Sequence, residues 1–242
     1  MESLAIEINK LSKSYGTHHV LSEIDLAVNN GEYISLVGVN GSGKTTLMKC
    51  MLDFCAISSG SIRLFGKEHT NIAAREQLVY LPEKFLPPYY LTGMNFLDYM
   101  AKLNDSDSNV GEIKELLKVL DLDQSALSKP VRHYSKGMAQ KLGLIACLQS
   151  NRSLFLFDEP MSGLDPKARA YLKQHLLDIK QLGKTLFFST HLLVDVETLC
   201  DRFAILHKGK IHFIGTPDEC REQFQSDNLE QAYIACVSEN ET

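Results

Sequence analysis

Gly38, Val39, Asn40, Gly41, Ser42, Gly43, Lys44, Thr45 and Thr46 follow one another in the pattern G-x-x-x-x-G-K-[ST]. These residue types at this spacing suit one task, the holding of a chain of phosphates. Glycines let the backbone curl until successive N–H groups point inward, and a helix that begins at the loop adds its positive N-terminus. Lys44 would reach the β- and γ-phosphates, and the Thr45 hydroxyl would take a place on Mg²⁺. Further on, Asp158 and Glu159 close the apolar run Leu154–Phe157. An acid placed there, downstream of a phosphate loop, holds Mg²⁺ directly or through water. The second carboxylate can orient, and take a proton from, the water that attacks the γ-phosphate. His191 follows the next apolar run, where it would touch the γ-phosphate or that water.

The elements that must position these groups alternate in type. Tyr33–Val37 reads as a strand into the phosphate loop, and Leu47, Met48, Met51 and Leu52 repeat at helical spacing after it. Before it, Leu4, Ile6 and Ile8 alternate with polar neighbours, as do Leu21, Ile24, Leu26 and Val28, with Asn29-Asn30-Gly31 as a turn. Tyr15, in the loop Ser14-Tyr15-Gly16 between those strands, either stacks on a purine face or packs locally. Ser58–Ser61 turns the chain into a strand over 62–65, and Leu78–Leu81 is another, ending at Pro82-Glu83. Three helical patterns follow. Thr92 caps the first; the second carries Val110, Ile113, Leu117 and Leu120 behind a run of Asp and Ser; the third starts near Ser135 and gathers Met138, Leu142, Ile145 and Leu148. Leu154–Phe157 then has the wholly apolar character of a central parallel strand. Asp165 and Pro166 open a helix that Gly183 ends at its C′ position, and 185–188 forms the next strand. Val194, Val196 and Leu199 mark a further helix, and Lys208-Gly209 turns a hairpin. The predicted fold is α/β: a P-loop core with a mainly parallel sheet covered by helices, an N-terminal antiparallel β lobe and an inserted helical lobe. Residues 1–83 and 151–215 form core and β lobe, 84–150 the helical lobe, and 216–242 a C-terminal extension.

Composition narrows the function classes. With 242 residues, 44% hydrophobic and 23% charged, the chain has ample material for a packed core. A net charge of −5 argues against nucleic acid as the main partner. No apolar run approaches the roughly 18 residues of a membrane helix, and the N-terminus has no signal-peptide pattern, so the cytoplasm is the expected compartment. The six cysteines show no C-x-x-C pairing and read as reduced, mostly buried thiols.

Taken in order, Gly38–Thr46, Tyr134-Ser135-Lys136-Gly137-Met138, Leu154–Glu159, Ser162-Gly163-Leu164-Asp165 and His191 resemble the ATP-binding-cassette (ABC) ATPases. The resemblance runs from about Leu4 to Gly215. It implies ATP and Mg²⁺ as ligands, with Thr45, Asp158 and Glu83 at the metal, and ATP hydrolysis in a head-to-tail dimer. It places Tyr15 at the adenine-stacking position and Glu83 at the Q-loop. Ser135, Lys136, Gly137 and Met138 become the signature that meets the γ-phosphate held by the opposite subunit. Ser162, Gly163, Leu164 and Asp165 become the D-loop of the dimer. A helix N-terminus at Ser135 suits anion binding.

Two positions depart from the family pattern. Lys136 and Met138 replace the first Gly and the Gln of Leu-Ser-Gly-Gly-Gln, and Glu83 stands where Gln is usual. Lys136 either adds charge near the nucleotide or is simply solvated. Both departures resemble the subset that serves export-type permeases. The expected protein is thus the ATPase subunit of a transporter with a separate integral membrane permease. It would work as a homodimer or pseudo-homodimer, peripheral on the cytoplasmic face of the membrane, with no nucleic acid. The alternative is a soluble ABC ATPase acting on ribosomes or DNA; a third reading, a nucleotide switch without turnover, is opposed by the presence of Lys44, Asp158, Glu159 and His191. The aromatic stretch Phe85, Leu86, Tyr89 and Tyr90, stiffened by Pro87 and Pro88, is either buried packing or a groove for a permease helix.

Overall fold

The computed structural model describes residues 4–104 and 108–239. The Asp and Ser residues at 105–107, expected ahead of the second lobe helix, and the last three polar residues lie outside that range. Strands β1 (Leu4–Tyr15) and β2 (His18–Asn29) form a long antiparallel hairpin. Pairing continues to Tyr15↔His18, so Tyr15 closes a strand rather than sitting in the expected loop. Strand β3 (Tyr33–Val37) leads into the phosphate loop, and α1 (Lys44–Met51) leaves it. Strands β4 (Ser59–Leu64), β5 (Lys67–Glu68) and β6 (Leu78–Leu81) follow. β4 begins earlier than its apolar residues suggested, because Ser59 still pairs with Ser12 of β1.

The helical lobe comprises α2 (Gly93–Leu103), α3 (Val110–Val119) and α4 (Lys136–Leu148), with short 3₁₀ turns between α3 and α4. Thr92, Asn109 and Ser135 cap them by accepting hydrogen bonds from first-turn N–H groups. In α3 the buried stripe is Ile113, Leu116, Leu117 and Leu120, whereas Val110, expected on that face, is exposed. Val110 is the first helical residue after the cap, a turn above the stripe; Leu116 completes the i, i+3, i+4, i+7 set instead.

The core resumes with β7 (Leu154–Asp158), α5 (Pro166–Lys180), β8 (Thr185–Thr190), α6 (Leu193–Leu199), β9 (Arg202–His207) and β10 (Lys210–Gly215). α7 (Pro217–Gln223) and α8 (Leu229–Glu239) end the described chain. Asp165 caps α5, with Pro166 in its first turn, as the sequence predicted. α5 stops at Lys180, so Gly183, with φ 76°, stands one residue beyond the expected C′ place. Lys208 and Gly209, at φ 46° and 76°, make the tight turn between β9 and β10.

Two sheets result. One is antiparallel, in the order β2-β1-β4-β5; the other is six-stranded, β10-β9-β3-β8-β7-β6, parallel except for the edge strand β10. Strand alternation divides the buried residues cleanly. Ile34, Leu36, Leu154, Leu156 and Phe187 pack with α1 against the antiparallel sheet. Tyr33, Phe155, Phe157, Leu186 and Phe188 point the other way, into one core shared with α2, α3, α4 and α5. The helical lobe is therefore continuous with the sheet's second face. A third cluster joins Val37, Phe203, Ile205 and Phe213 to α6, α7 and α8.

Candidate active site

The phosphate loop is tightly built. A Cβ on Gly38 would run into the Leu206 carbonyl oxygen and the Ser42 hydroxyl. Gly43 sits at φ 115°, where an added Cβ would also meet the Leu21 side chain at 2.8 Å. Only glycine closes the curve at both positions. No side chain caps the N-terminus of α1 and no acid stands in its first turn, so its leading N–H groups face the loop cavity without competition. Lys44 is nearly fully buried, and its ammonium donates to the carbonyls of Gly38 (2.7 Å) and Val39 (3.2 Å). Burial pulls its pKa below the ordinary lysine range, opposed by the charges of Glu159, Asp158 and Glu83.

The carboxylates arrive on parallel strands. β7 pairs Asp158 with Ser189 of β8, so these two ends lie side by side. Thr45 Oγ1 donates to Asp158 Oδ2 at 2.7 Å, and Ser189 Oγ donates to Asp158 Oδ1 at 2.6 Å. Ser189 Oγ also accepts the Glu159 N–H at 2.9 Å. Glu159 holds a left-handed backbone, φ 50°, which is costly for a residue with a Cβ and persists where surrounding structure dictates it. That turn sends its side chain inward. Oε2 lies 2.9 Å from His191 Nδ1, and Oε1 lies 3.8 Å from Lys44 Nζ. Oε1 is fully buried without a hydrogen-bond partner among the described residues, and so is Ser42 Oγ. Of the two, Glu159 lines the cavity, where an orphaned acceptor fits a site built to receive a donor from a ligand, while Ser42 lies outside the lining.

A cavity of ≈ 320 Å³ opens here, lined by Asn40, Gly41, Gly43, Lys44, Thr45, Thr46, Glu83, Asp158 and Glu159, together with Val20 and Lys84. Among the described residues no group of three or more His, Cys, Asp and Glu gathers as a metal site. The donors present are hard oxygens, a hydroxyl and carboxylates. They match an ion such as Mg²⁺ that draws most of its ligands from phosphate and water.

Other predicted residues lie elsewhere. Tyr15 stands half exposed at the tip of the β1–β2 hairpin, outside the cavity lining, with Lys13 Nζ 4.4 Å from its ring centroid. His191 is more than half exposed and reaches the cavity only through Glu159. Ser135, Gly137 and Met138 line a separate recess with Gly163 and Asp165, and Lys136 is exposed. A Cβ on Gly137 would stand 2.9 Å from the Gly163 carbonyl oxygen, so signature and D-loop pack with their backbones close together. Lys141 Nζ to Asp165 Oδ2, at 3.0 Å, fastens them again. Leu164 is buried, while Ser162 lies at the margin. Sequence reasoning missed Ser189, Val20 and Lys84. Ser189 carried a usable signal, a hydroxyl ending an apolar strand beside the Asp158 strand.

The family model for ABC transporter matches residues 21–162. The chain belongs to the ABC transporter family. An uncharacterized ABC transporter ATP-binding protein of Synechocystis sp. is 36% identical over 222 residues, taking in 87% of this chain and 62% of the relative. The chain thus spans less than two thirds of that protein. The ABC-type transporter ATP-binding protein EcsA of Bacillus subtilis is 30% identical over 241 residues, 97% of both chains. A spermidine/putrescine import ATP-binding protein of Haemophilus influenzae is 32% identical over 222 residues, 90% of this chain and 59% of its own length. A solved ATP binding subunit of an ABC transporter superposes with a TM-score of 0.85 at 30% identity, over 96% of this chain and 99% of that one. This ABC chain has the antiparallel lobe and the helix-flanked, largely parallel sheet of that ATP-binding subunit's fold. Among its described residues no helix is long and apolar enough to cross a membrane.

Proposed function

We propose that this chain is the ATP-hydrolysing subunit of an exporter whose integral membrane permease is a separate polypeptide. The observation that carries the reading is the joined set Thr45–Asp158–Ser189–Glu159–His191 around the phosphate loop. Lys44 and the loop N–H groups bind the phosphates, and Thr45 and Asp158 hold Mg²⁺, with Glu83 beside them. The ion supplies charge neutralisation to the phosphate oxygens. Glu159 accepts a proton from the attacking water at Oε1, while His191 holds Oε2 and fixes the carboxylate's rotation.

Two such chains, or this chain and a similar one, close head to tail on ATP. Ser135 and the N–H groups of Gly137 and Met138 meet the γ-phosphate of the partner, and residues 162–165 line the seam. Hydrolysis removes that anion and lets the pair open. The chain works on the cytoplasmic face of the membrane, without nucleic acid. Relatives include an importer's ATP-binding protein, so the export direction rests on Glu83, Lys136 and Met138 alone. Co-purification of the full chain with an integral membrane protein, together with ATP-dependent phosphate release, tests the reading. Release of phosphate with only ribosomes or DNA recovered would overturn it.

Tyr15 is the proposed base platform. Tyr15→Ala is expected to weaken ATP and GTP equally, by the ~1–3 kcal/mol typical of aromatic stacking on a base, read by nucleotide titration. Unchanged affinity for both would remove Tyr15 from the site.

The segment after Glu83 divides in two. Phe85 turns inward, its ring edge-on to Phe96 at 5.6 Å and against Gly143, where a Cβ would come within 2.8 Å of it. Leu86, Tyr89 and Tyr90 remain 88%, 70% and 69% exposed, and a groove of ≈ 450 Å³ runs from Pro88 and Tyr90 to Tyr99 and Lys102. These exposed aromatics suit a permease helix, offering large apolar area at modest entropic cost. Tyr89→Ala with Tyr90→Ala should leave the ATPase rate of the isolated chain unchanged and reduce recovery of the permease in pull-downs. Normal recovery would place the coupling surface elsewhere.

A further inference from the structure

We propose that Cys50 and Cys55 are a reversible redox pair that closes to a disulfide under peroxide, and that its state is read at Tyr15. The two Sγ atoms already lie 3.5 Å apart. Cys50 is buried near the end of α1, the helix that begins at Lys44, and Cys55 is half buried in the loop just beyond. Tyr15 is tied to the loop that carries Cys55 through Lys13. Lys13 joins the two sides of this cluster. Its Nζ donates to the Ala56 carbonyl, next to Cys55, at 2.6 Å, and stands 4.4 Å from the Tyr15 ring centroid.

Burial pushes Cys147, Cys200 and Cys220 up to about 12, and Cys236 to about 11. Cys50 is fully buried and likewise pushed up to about 12, whereas Cys55 is partly accessible, so Cys55 meets a dissolved oxidant first and Cys50 resolves it. The chemistry balances with hydrogen peroxide as oxidant. The Cys55 thiolate attacks one peroxide oxygen, the O–O bond breaks, and the departing hydroxide takes the thiol proton as water. The sulfur of Cys50 then attacks the Cys55 sulfenic acid, the S–S bond forms, and a second water leaves. Two thiols lose two electrons, and one peroxide becomes two waters. The sulfurs must close from 3.5 Å to about 2.05 Å, which draws Cys55 toward Cys50 and strains the hydrogen bond from Lys13 to the adjoining Ala56 carbonyl that holds the ammonium beside Tyr15. Transient disulfides of this kind are the usual cytosolic form.

The consequence for nucleotide rests on the base-platform reading of Tyr15, and the test separates the two. The purified full chain is treated with hydrogen peroxide, its remaining thiols are alkylated, and cross-linked peptides are mapped by mass spectrometry. The expected result is a Cys50–Cys55 linkage reversed by dithiothreitol, with ATP affinity about 2–10-fold weaker while oxidised, the scale of one lost hydrogen bond. Cys55→Ser and Cys50→Ala should bind ATP as the reduced protein does and show no peroxide effect. Cys55→Ser alone serves as control if the buried Cys50→Ala variant fails to fold. Oxidation that leaves Cys50 and Cys55 unlinked, or a mapped linkage with unchanged ATP affinity in a protein whose Tyr15→Ala variant binds weakly, overturns the inference. A mapped linkage with unchanged affinity in both proteins overturns it too, and places the fault in the reading of Tyr15.

Discussion

Glu159→Gln is expected to lower ATP turnover about 10²–10⁴-fold, the range for removing one general base, while ATP affinity is retained. The wild-type carboxylate serves His191 with one oxygen and faces Lys44 with the other. An amide keeps the shape and one acceptor oxygen, which can stay with His191, but it cannot take a proton at the buried position. The φ of 50° is unaffected by the exchange, so the side chain should still point into the cavity. Bound ATP is then trapped, and the variant should run as a dimer with ATP by size-exclusion chromatography and as a monomer without it. Wild-type phosphate release from purified Glu159→Gln protein would remove Glu159 as the base.

Lys44→Ala acts on a different quantity. It should weaken ATP affinity about 10–100-fold, because hydrogen bonds to a charged group are worth ~1.5–3 kcal/mol each. Removal of the ammonium also leaves Glu159 and Asp158 without the cation that faces them, so two carboxylates meet an incoming polyphosphate unscreened. Both effects have the same sign. Isothermal titration with ATP separates this variant from Glu159→Gln: the first loses binding, the second loses turnover. Unchanged affinity would mean that the loop backbone and α1 alone hold the phosphates.

Chemistry carried by contiguous residues was legible in the sequence. The phosphate loop, the Asp158-Glu159 pair and the capped starts of α2, α4 and α5 each declare themselves within a few positions. Roles set by partners far along the chain were not. Ser189 acquires its meaning from a carboxylate 31 residues earlier, which only strand pairing brings alongside. The aromatic segment shows a second limit. Nothing in its order says that Phe85 turns inward while Tyr89 and Tyr90 stay out; that is decided by the space left above Gly143. Val110 and Leu116 differ by less than two helical turns, and the exchange between them followed from where Asn109 set the helix start. Glu83 and Lys84 enter the cavity because β6 ends beside β7, a neighbourhood fixed by the sheet and not by local pattern.

The close backbone approach of Gly137 to Gly163 bears on how the site moves. Side chains that touch can slide or change rotamer before a push is passed on, but two backbones packed too closely to admit a Cβ have little such slack. Residues 160–163 lead directly from Glu159 to that approach, and Lys141 with Asp165 closes it from the other side. A displacement of the Glu159 turn would therefore bear on the first turn of α4 through main chain and one ion pair. If Ser135 to Met138 meet a neighbour's nucleotide and Glu159 is the base, as proposed, the sensing surface and the reacting one are mechanically a single part.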